Sequence, residues 1–93
     1  MKNNISIQYC TQCKWLMRAT WMAQELLTTF NEEITELTLI PGTGGVFKIR
    51  ANNQEIWCRK SQNGFPEITI LKKLTRDVIA PNKSLGHIDR VRS

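Results

Sequence analysis

The chain has 93 residues, 41% of them hydrophobic and 23% charged, which is typical of one water-soluble globular domain with a single core. No apolar run approaches the roughly 18 residues of a membrane-spanning helix, so no membrane span is expected. The net charge of +5 falls in the second part of the chain, but its basic residues are not interleaved with aromatic residues for base stacking, so nucleic acid is not an expected partner.

The first predicted elements meet at a pair of cysteines. Apolar and polar residues alternate over residues 5–9, which predicts a strand. A Cys-x-x-Cys motif, Cys10 and Cys13, follows directly, and apolar residues then recur at helical spacing over residues 14–31. The two thiols are therefore expected at a strand-to-helix turn, where free N–H groups and the helix dipole favour a thiolate.

The predicted first helix has one clearly apolar side. The residues expected on its buried stripe are Leu16, Ala19, Ala23, Leu26, Leu27 and Phe30. Trp21 falls on a mostly polar side of this helix, with Met17 beside it. An aromatic residue in such a place usually packs under a neighbouring segment, but it can also mark a partner surface, including that of a homodimer.

Three further strands are predicted over residues 34–40, 46–50 and 55–60, where β-branched and alternating residues are frequent. The segment 41–45, with its proline and three glycines, is expected to stop the first of them. The two asparagines of the turn at 51–54 tolerate left-handed conformations, so the last two strands are expected to form a hairpin.

A second helix is predicted to start at Phe65-Pro66-Glu67 and to end before Pro81, with a basic surface tail over residues 82–93. The order β-α-β-β-β-α predicts an α/β (α+β) fold of thioredoxin-like layout. It has a four-stranded mixed sheet and two main helices. Residues 1–93 are expected to form a single domain with a compact core over about 5–81.

The start of the sequence predicts the compartment, and the number of cysteines bears on what the thiols do. The segment before residue 5 lacks the features of a secretory signal, so the cytoplasm is the expected location. Three cysteines, an odd number, do not suit a domain held together by disulfides. The pair Cys10 and Cys13 is better explained by redox or metal chemistry.

Three sequence features together resemble one family. They are the motif Tyr9-Cys10-x-x-Cys13, the segment Pro41-Gly42-x-Gly44-Gly45-x-Phe47, and Phe65-Pro66 at the last helix. With these features, and with Leu85-Gly86-His87 in the tail, the chain resembles the selenoprotein W family (the Rdx type, within the grouping of selenoproteins W, T and H). The similarity extends over roughly residues 5 to 89.

The resemblance implies a thioredoxin-like fold and a thiol redox role linked to glutathione or to a protein thiol such as thioredoxin. Animal members carry selenocysteine at the position of Cys13, so this chain looks like a bacterial-type member with cysteine there. Lys48 departs from the family, which often has an acidic residue after the phenylalanine of the glycine segment. No surface property is carried over from the family for that reason.

Two assignments of the attacking sulfur remain open. Ordinary thioredoxin logic makes Cys10 the nucleophile and Cys13 the resolving thiol, whereas the resemblance implies the reverse, because the selenol occupies the second position. We predict Cys13 as the more reactive group. The adjacent Lys14 favours a thiolate. Gly44 and Gly45 either let the facing backbone approach the sulfurs or only build a turn.

The third cysteine and the single histidine allow alternative functions. Cys58 is expected to be a buried small hydrophobe, with a resolving or regulatory thiol as the alternative. Together with His87 and the motif cysteines it could bind zinc, although no second pair at close spacing is present and no cofactor is predicted. The main alternative to a redox enzyme is a redox-sensing interaction module that does not turn over.

Overall fold

The computed structural model of the chain describes residues 2–86. Its strands and helices, in chain order, are β1 (Asn4–Cys10), α1 (Leu16–Thr29), β2 (Glu36–Gly42), β3 (Phe47–Ala51), β4 (Gln54–Cys58), α2 (Arg59–Gln62) and α3 (Ile68–Ile79). The predicted order of strands and main helices is confirmed, and the four-residue helix α2 is an addition to it. None of the helices in this part of the chain is long and apolar enough to cross a membrane.

The four strands form one mixed sheet in the order β2-β1-β3-β4. The central strand β1 runs parallel to β2 and antiparallel to β3, and β3 pairs with β4 as an antiparallel hairpin. The predicted four-stranded mixed sheet and the hairpin of its last two strands are therefore confirmed, and β3 pairs with β1 rather than with β2, which precedes it in the chain. The last residue of β1, Cys10, pairs with Gly42 of β2, while the pairing of β1 with β3 ends one residue earlier, at Tyr9.

The core lies between one face of the sheet and the helices α1 and α3. Ile5, Ile7 and Tyr9 alternate along β1 onto this face and are buried with Phe47 and Ile49 of β3. The opposite face carries mostly polar side chains, and neither α1 nor α3 packs against it. A groove on that uncovered face is lined by Ser6, Gln8, Thr38, Ile40, Lys48, Arg50 and Asn53.

The first helix starts later than predicted, and a different side of it is buried. It begins at Leu16 rather than at residue 14. Leu16 and Leu27 are exposed, while Met22, absent from the expected stripe, is buried. The reason is geometrical: the side of α1 that meets the sheet and α3 is centred on Ala19, Met22, Ala23 and Leu26, so the two leucines fall at its edge.

The strand β2 continues further than predicted, through Pro41 to Gly42. The prediction that Pro41 stops the strand is wrong because β2 lies at the edge of the sheet and pairs only with β1. A proline removes one backbone donor, and an edge strand tolerates that loss on its solvent side.

The turn between β3 and β4 is the predicted asparagine pair. Asn52 and Asn53 have φ angles of 52° and 69°, which fits the two-residue hairpin turn that requires left-handed residues at both positions. Asn52 also reaches across to the start of β1. Its Oδ1 accepts a hydrogen bond from the Asn4 amide at 2.8 Å, and its Nδ2 donates to Asn3 Oδ1 at 2.9 Å.

The C-terminal segment is anchored to the core where it is described. Helix α3 begins at Ile68, after the buried Pro66, and ends before Pro81 as predicted. Lys83 Nζ pairs with Glu33 at 3.1 Å, and Leu85 packs against the core. The first residues of the predicted tail are therefore attached to the domain, and the rest of it lies outside the described residues.

The Asn52 contacts give a stability prediction. We expect Asn52→Ala to lower the free energy of unfolding by about 1–2 kcal/mol, because it leaves the polar groups of Asn3 and Asn4 without their partner. Urea denaturation measures the difference. The matched control is Asn53→Ala, which meets a similar left-handed backbone but has no such hydrogen bonds, so an equal loss in both variants would contradict this role of Asn52.

Candidate functional site

The two motif cysteines lie in different environments although their sulfur atoms are in disulfide contact. Cys10 ends β1 and is only 1% exposed, whereas Cys13 is exposed on the turn that follows. Their Cα atoms are 5.3 Å apart, within the usual range for a disulfide. The pair is therefore placed to change between dithiol and disulfide, with one cysteine exposed and the other buried.

The backbone of the cysteine turn supplies a hydrogen bond to sulfur. The Cys13 amide donates to Cys10 Sγ at 3.3 Å. The Lys14 amide closes the turn onto the Thr11 carbonyl at 3.0 Å, and Lys14 itself takes a left-handed φ of 63°. A helix N–H near a sulfur was predicted, but here the donor belongs to the turn.

The thiols precede the helix rather than starting it. Trp15 is the N-cap residue of α1, so Cys13 lies two residues before the cap. The prediction of a helix from residue 14 is wrong at this point, because the chain first completes a tight turn. The helix dipole acts mainly within the terminal turn, so it favours a thiolate here less than the sequence suggested.

The glycine segment is joined to the cysteine turn through Gly42. The Gly42 carbonyl accepts hydrogen bonds from the amide and hydroxyl of Thr11, at 3.0 and 3.2 Å. A Cβ atom on Gly42 would lie 2.7 Å from a methyl carbon of Val46, so any larger residue there would force the Val46 side chain to shift. Gly44 and Gly45 take φ angles of +70° and +75° and form the turn beyond it. Their direct action on the sulfurs stays a prediction.

Three aromatic side chains, beginning with Trp15 just after the cysteine turn, pack against one another. The ring of Trp15 lies 4.9 Å from that of Phe65 and 6.3 Å from that of Phe47, and the two phenylalanine rings are 5.0 Å apart, all edge to face. We call these three residues the aromatic cluster. Two guanidinium groups cover it: Arg18 lies 4.0 Å from the centre of the Phe65 ring and Arg59 lies 4.9 Å from that of Trp15.

Arg59 connects this cluster to the glycine segment. Its Nε and one terminal nitrogen both donate to the Gly45 carbonyl, at 3.1 and 3.0 Å. Sequence reasoning did not single out Trp15, Arg18 or Arg59. The only signal in the sequence was their place in the chain, since Trp15 comes soon after the motif and Arg59 directly follows β4. Lys14, next to Cys13 in the chain, is exposed on the turn.

Cys58 is buried, as predicted, but it lies outside the main core. It pairs with Lys48 across the β3–β4 ladder and so belongs to the uncovered face of the sheet. Hydrogen bonds from the Ser61 side chain and backbone lower the pKa of the Cys58 thiol from its ordinary value of 9.0. The Cys58 amide donates to the Gln62 side chain at 2.8 Å, which holds α2 against β4. A resolving or regulatory role of Cys58 stays a prediction.

The zinc alternative depends on four residues that the described structure does not bring together. Within residues 2–86 no three His, Cys, Asp or Glu side chains cluster as metal ligands. Cys58 has its own partners on α2, and His87 lies outside the described residues.

Comparisons with known proteins agree with this architecture. A sequence model of the Rdx family matches residues 4–77. The crystal structure of a selenoprotein W-related protein from Vibrio cholerae is 50% identical, with a TM-score of 0.82, and the match covers 84% of this chain and 98% of that one. A crystal structure from Bordetella parapertussis is 56% identical, with a TM-score of 0.79 and coverage of 81% and 95%. No curated protein is similar enough to count as a match.

A mixed four-stranded sheet with a Cys-x-x-Cys pair after its central strand defines a small thioredoxin-like protein. The chain belongs to the Rdx family. The resemblance to selenoprotein W seen in the sequence is confirmed, and the chain is a bacterial selenoprotein W-like member with cysteine at position 13.

The contacts of Arg59 predict a structural effect near the motif. We expect Arg59→Ala to lower the free energy of unfolding by about 1–2 kcal/mol, because it removes two hydrogen bonds and the contact with the Trp15 ring. Arg59→Lys should recover only part of this, since an ammonium group lacks the guanidinium fork. Chemical denaturation of the oxidised protein measures both, and Lys60→Ala, exposed and adjacent, is the control. Equal losses of stability in Arg59→Ala and Lys60→Ala would refute this role of Arg59.

The Cys58 thiol predicts a dependence of stability on pH. Its pKa is lower in the folded protein than in the unfolded chain, so its contribution is complete above the unfolded pKa and is lost as pH falls through the folded pKa. The stability difference between the chain and Cys58→Ala should therefore grow as pH rises toward 9.0. The measurement is made with the Cys10–Cys13 disulfide intact. A difference that stays constant with pH would contradict the proposed hydrogen bonds from Ser61.

Proposed function

We propose that the protein catalyses thiol–disulfide exchange, with Cys13 as the attacking thiol and Cys10 as the resolving thiol. The observation that carries this proposal is the unequal exposure of two cysteines whose sulfurs are in contact: Cys13 is exposed to a substrate, whereas Cys10 is buried. Exchange requires an accessible thiolate and a second thiol within reach of it. Membership of the Rdx family supports a redox role in general terms.

The proposed reaction transfers two electrons in two steps. The Cys13 thiolate attacks one sulfur of a substrate disulfide, so a mixed disulfide forms and the other substrate sulfur leaves as a thiolate that takes up a proton. The Cys10 thiolate then attacks Cys13 Sγ. This forms the Cys10–Cys13 disulfide and releases the second substrate sulfur as a thiol. The substrate is reduced and the protein is oxidised.

Local groups support these roles. The cation of Lys14, next to Cys13, favours the thiolate that attacks. The Cys13 amide, which donates to Cys10 Sγ, favours a thiolate at Cys10 when that sulfur attacks in the second step. The burial of Cys10 keeps other disulfides from competing for it, so the resolving step stays within the molecule.

The reduced protein is regenerated in this proposal by glutathione or by a protein dithiol of the thioredoxin kind. The support is the family resemblance and the absence of any need for a further cofactor in the two exchange steps. The cytoplasm, where such reductants are kept, remains the predicted compartment.

A redox-sensing interaction module is the second candidate function, and the exposed Met17 and Trp21 favour it. A sensor would form the same disulfide or a glutathione adduct. It would not reduce a disulfide substrate repeatedly above background when a reductant is supplied. Steady-state turnover with glutathione and a small disulfide therefore separates the two functions.

Single cysteine variants test the roles of the sulfurs. We expect Cys10→Ser to accumulate a mixed disulfide at Cys13 after treatment with oxidised glutathione, because the resolving thiol is missing. Cys13→Ser should form no adduct at the motif beyond the unfolded-chain background, because Cys10 is covered. Mass spectrometry of intact protein and of peptides measures both, with Cys58→Ser as the control that retains the motif disulfide.

Two results of that experiment would count against the proposal. An adduct at Cys10 in Cys13→Ser, formed as fast as the one at Cys13, would reverse the roles. Two unmodified motif thiols in a folded wild-type protein, under mild peroxide or oxidised glutathione, would refute the redox function itself.

A further inference from the structure

Large apolar side chains are exposed directly after the cysteine turn. Six large hydrophobic residues are exposed within residues 2–86, and three of them, Leu16, Met17 and Trp21, lie in the first two turns of α1. Met17 is 85% exposed and Trp21 is 48% exposed. Because these two residues are four apart, their side chains are neighbours on one side of the helix. We call Leu16, Met17 and Trp21 the docking face.

The position and length of the docking face suit a polypeptide bound at Cys13. From Leu16 to Trp21 the helix rises by about 7.5 Å, which equals roughly two to three residues of an extended chain. A chain whose sulfur reacts at Cys13 and which continues along α1 would place its next side chains on this face. Glutathione has three residues and no large apolar side chain, so it cannot cover the face.

The charges beside the docking face select an acidic partner. Lys14 precedes it and Arg18 lies within it along the helix, and neither forms an ion pair with a carboxylate in the described part of the chain. The first turn of α1 has no acidic residue. Further along, Glu25 is already bound to Lys72 at 2.9 Å. A second copy of this chain would bring like charges together, which disfavours a homodimer at this face.

We propose that the docking face binds a disulfide-bearing polypeptide in which apolar and acidic residues flank the reacting cysteine. The proposal rests on the proposed function, since the reaction is the attack of Cys13 described above. It specifies the substrate class: the apolar residues contact Met17 and Trp21, and the acidic residues pair with Lys14 and Arg18. The chemistry is that of a protein disulfide rather than of a free tripeptide.

The test compares three disulfides that release the same chromophore. One is a peptide with leucine and glutamate on both sides of a single cysteine, activated as its 2-pyridyl disulfide. The second peptide has serine and glutamine in their places. The third compound is the neutral 2-hydroxyethyl 2-pyridyl disulfide, which is too small to reach the docking face. Absorbance of the released pyridinethione gives the rate of attack by reduced Cys58→Ser protein, which leaves only the motif thiols.

The variants separate docking from chemistry. Met17→Ser combined with Trp21→Ser, in the same background, removes the apolar contacts. The matched control is Ile70→Ser, which replaces a hydrophobic residue of similar exposure, 43%, on α3. If the double variant does not fold, Met17→Ser alone replaces it in the test. Because Met17 is almost fully exposed, this single change should not disturb the fold.

We expect the leucine–glutamate peptide to react about tenfold faster than the serine–glutamine peptide, a difference of about 1.4 kcal/mol. The advantage should fall as salt is added, because the exposed charges are screened. The double variant should lose most of this advantage, Met17→Ser should lose part of it, and Ile70→Ser should keep it. The rate with the small disulfide should be the same in all of them.

Four results would overturn the proposal. Equal rates for the two peptides with a normal rate for the small disulfide would refute the docking face and leave the proposed function standing. A peptide preference that persists in the double variant would place docking elsewhere. A wild-type dimer in sedimentation that the double variant abolishes, without change in the peptide rates, would assign the face to a second copy. No reaction with the small disulfide would refute the proposed function as well.

Discussion

The last pair of the parallel ladder between β1 and β2, Cys10 opposite Gly42, holds the cysteine turn in place. Because β1 pairs with β2 along its whole length and with β3 as far as Tyr9, Cys10 extends directly from a strand that is fixed on both sides. The Gly42 carbonyl then binds the amide and hydroxyl of Thr11, the first residue beyond the strand. The absence of a side chain at Gly42 allows the Val46 side chain to pack closely against the backbone at this position.

This constraint explains why the two sulfurs differ. Cys10 is buried because it is part of the sheet, whereas Cys13 is exposed because it lies on the turn. The amide of Cys13 then contacts the sulfur of Cys10, so that the turn itself supplies a donor that a helix start would otherwise provide. The proposed roles, with Cys13 as the attacking thiol and Cys10 as the resolving thiol, rest on this difference in exposure.

The surroundings of the turn are built from distant parts of the chain. Trp15, Phe47 and Phe65 come from the start of α1, from β3 and from the segment before α3, and they meet edge to face. Arg59, at the start of α2, joins this cluster to the Gly45 carbonyl. The short helix α2 therefore does more than connect β4 to α3, since it positions the guanidinium group that links the glycine segment to Trp15.

The sequence by itself determined the features that depend on near neighbours: the alternation of β1, the asparagine turn at 52–53 and a Cys-x-x-Cys pair between a strand and a helix. Local periodicity and turn chemistry are sufficient for these. Only the tertiary structure decided that α1 begins at Leu16, that β2 runs through Pro41, and that Cys13 rather than Cys10 is exposed. Each of these depends on which strand or helix lies alongside, because edge position, burial and the end of a turn are set by contacts between residues far apart in the chain.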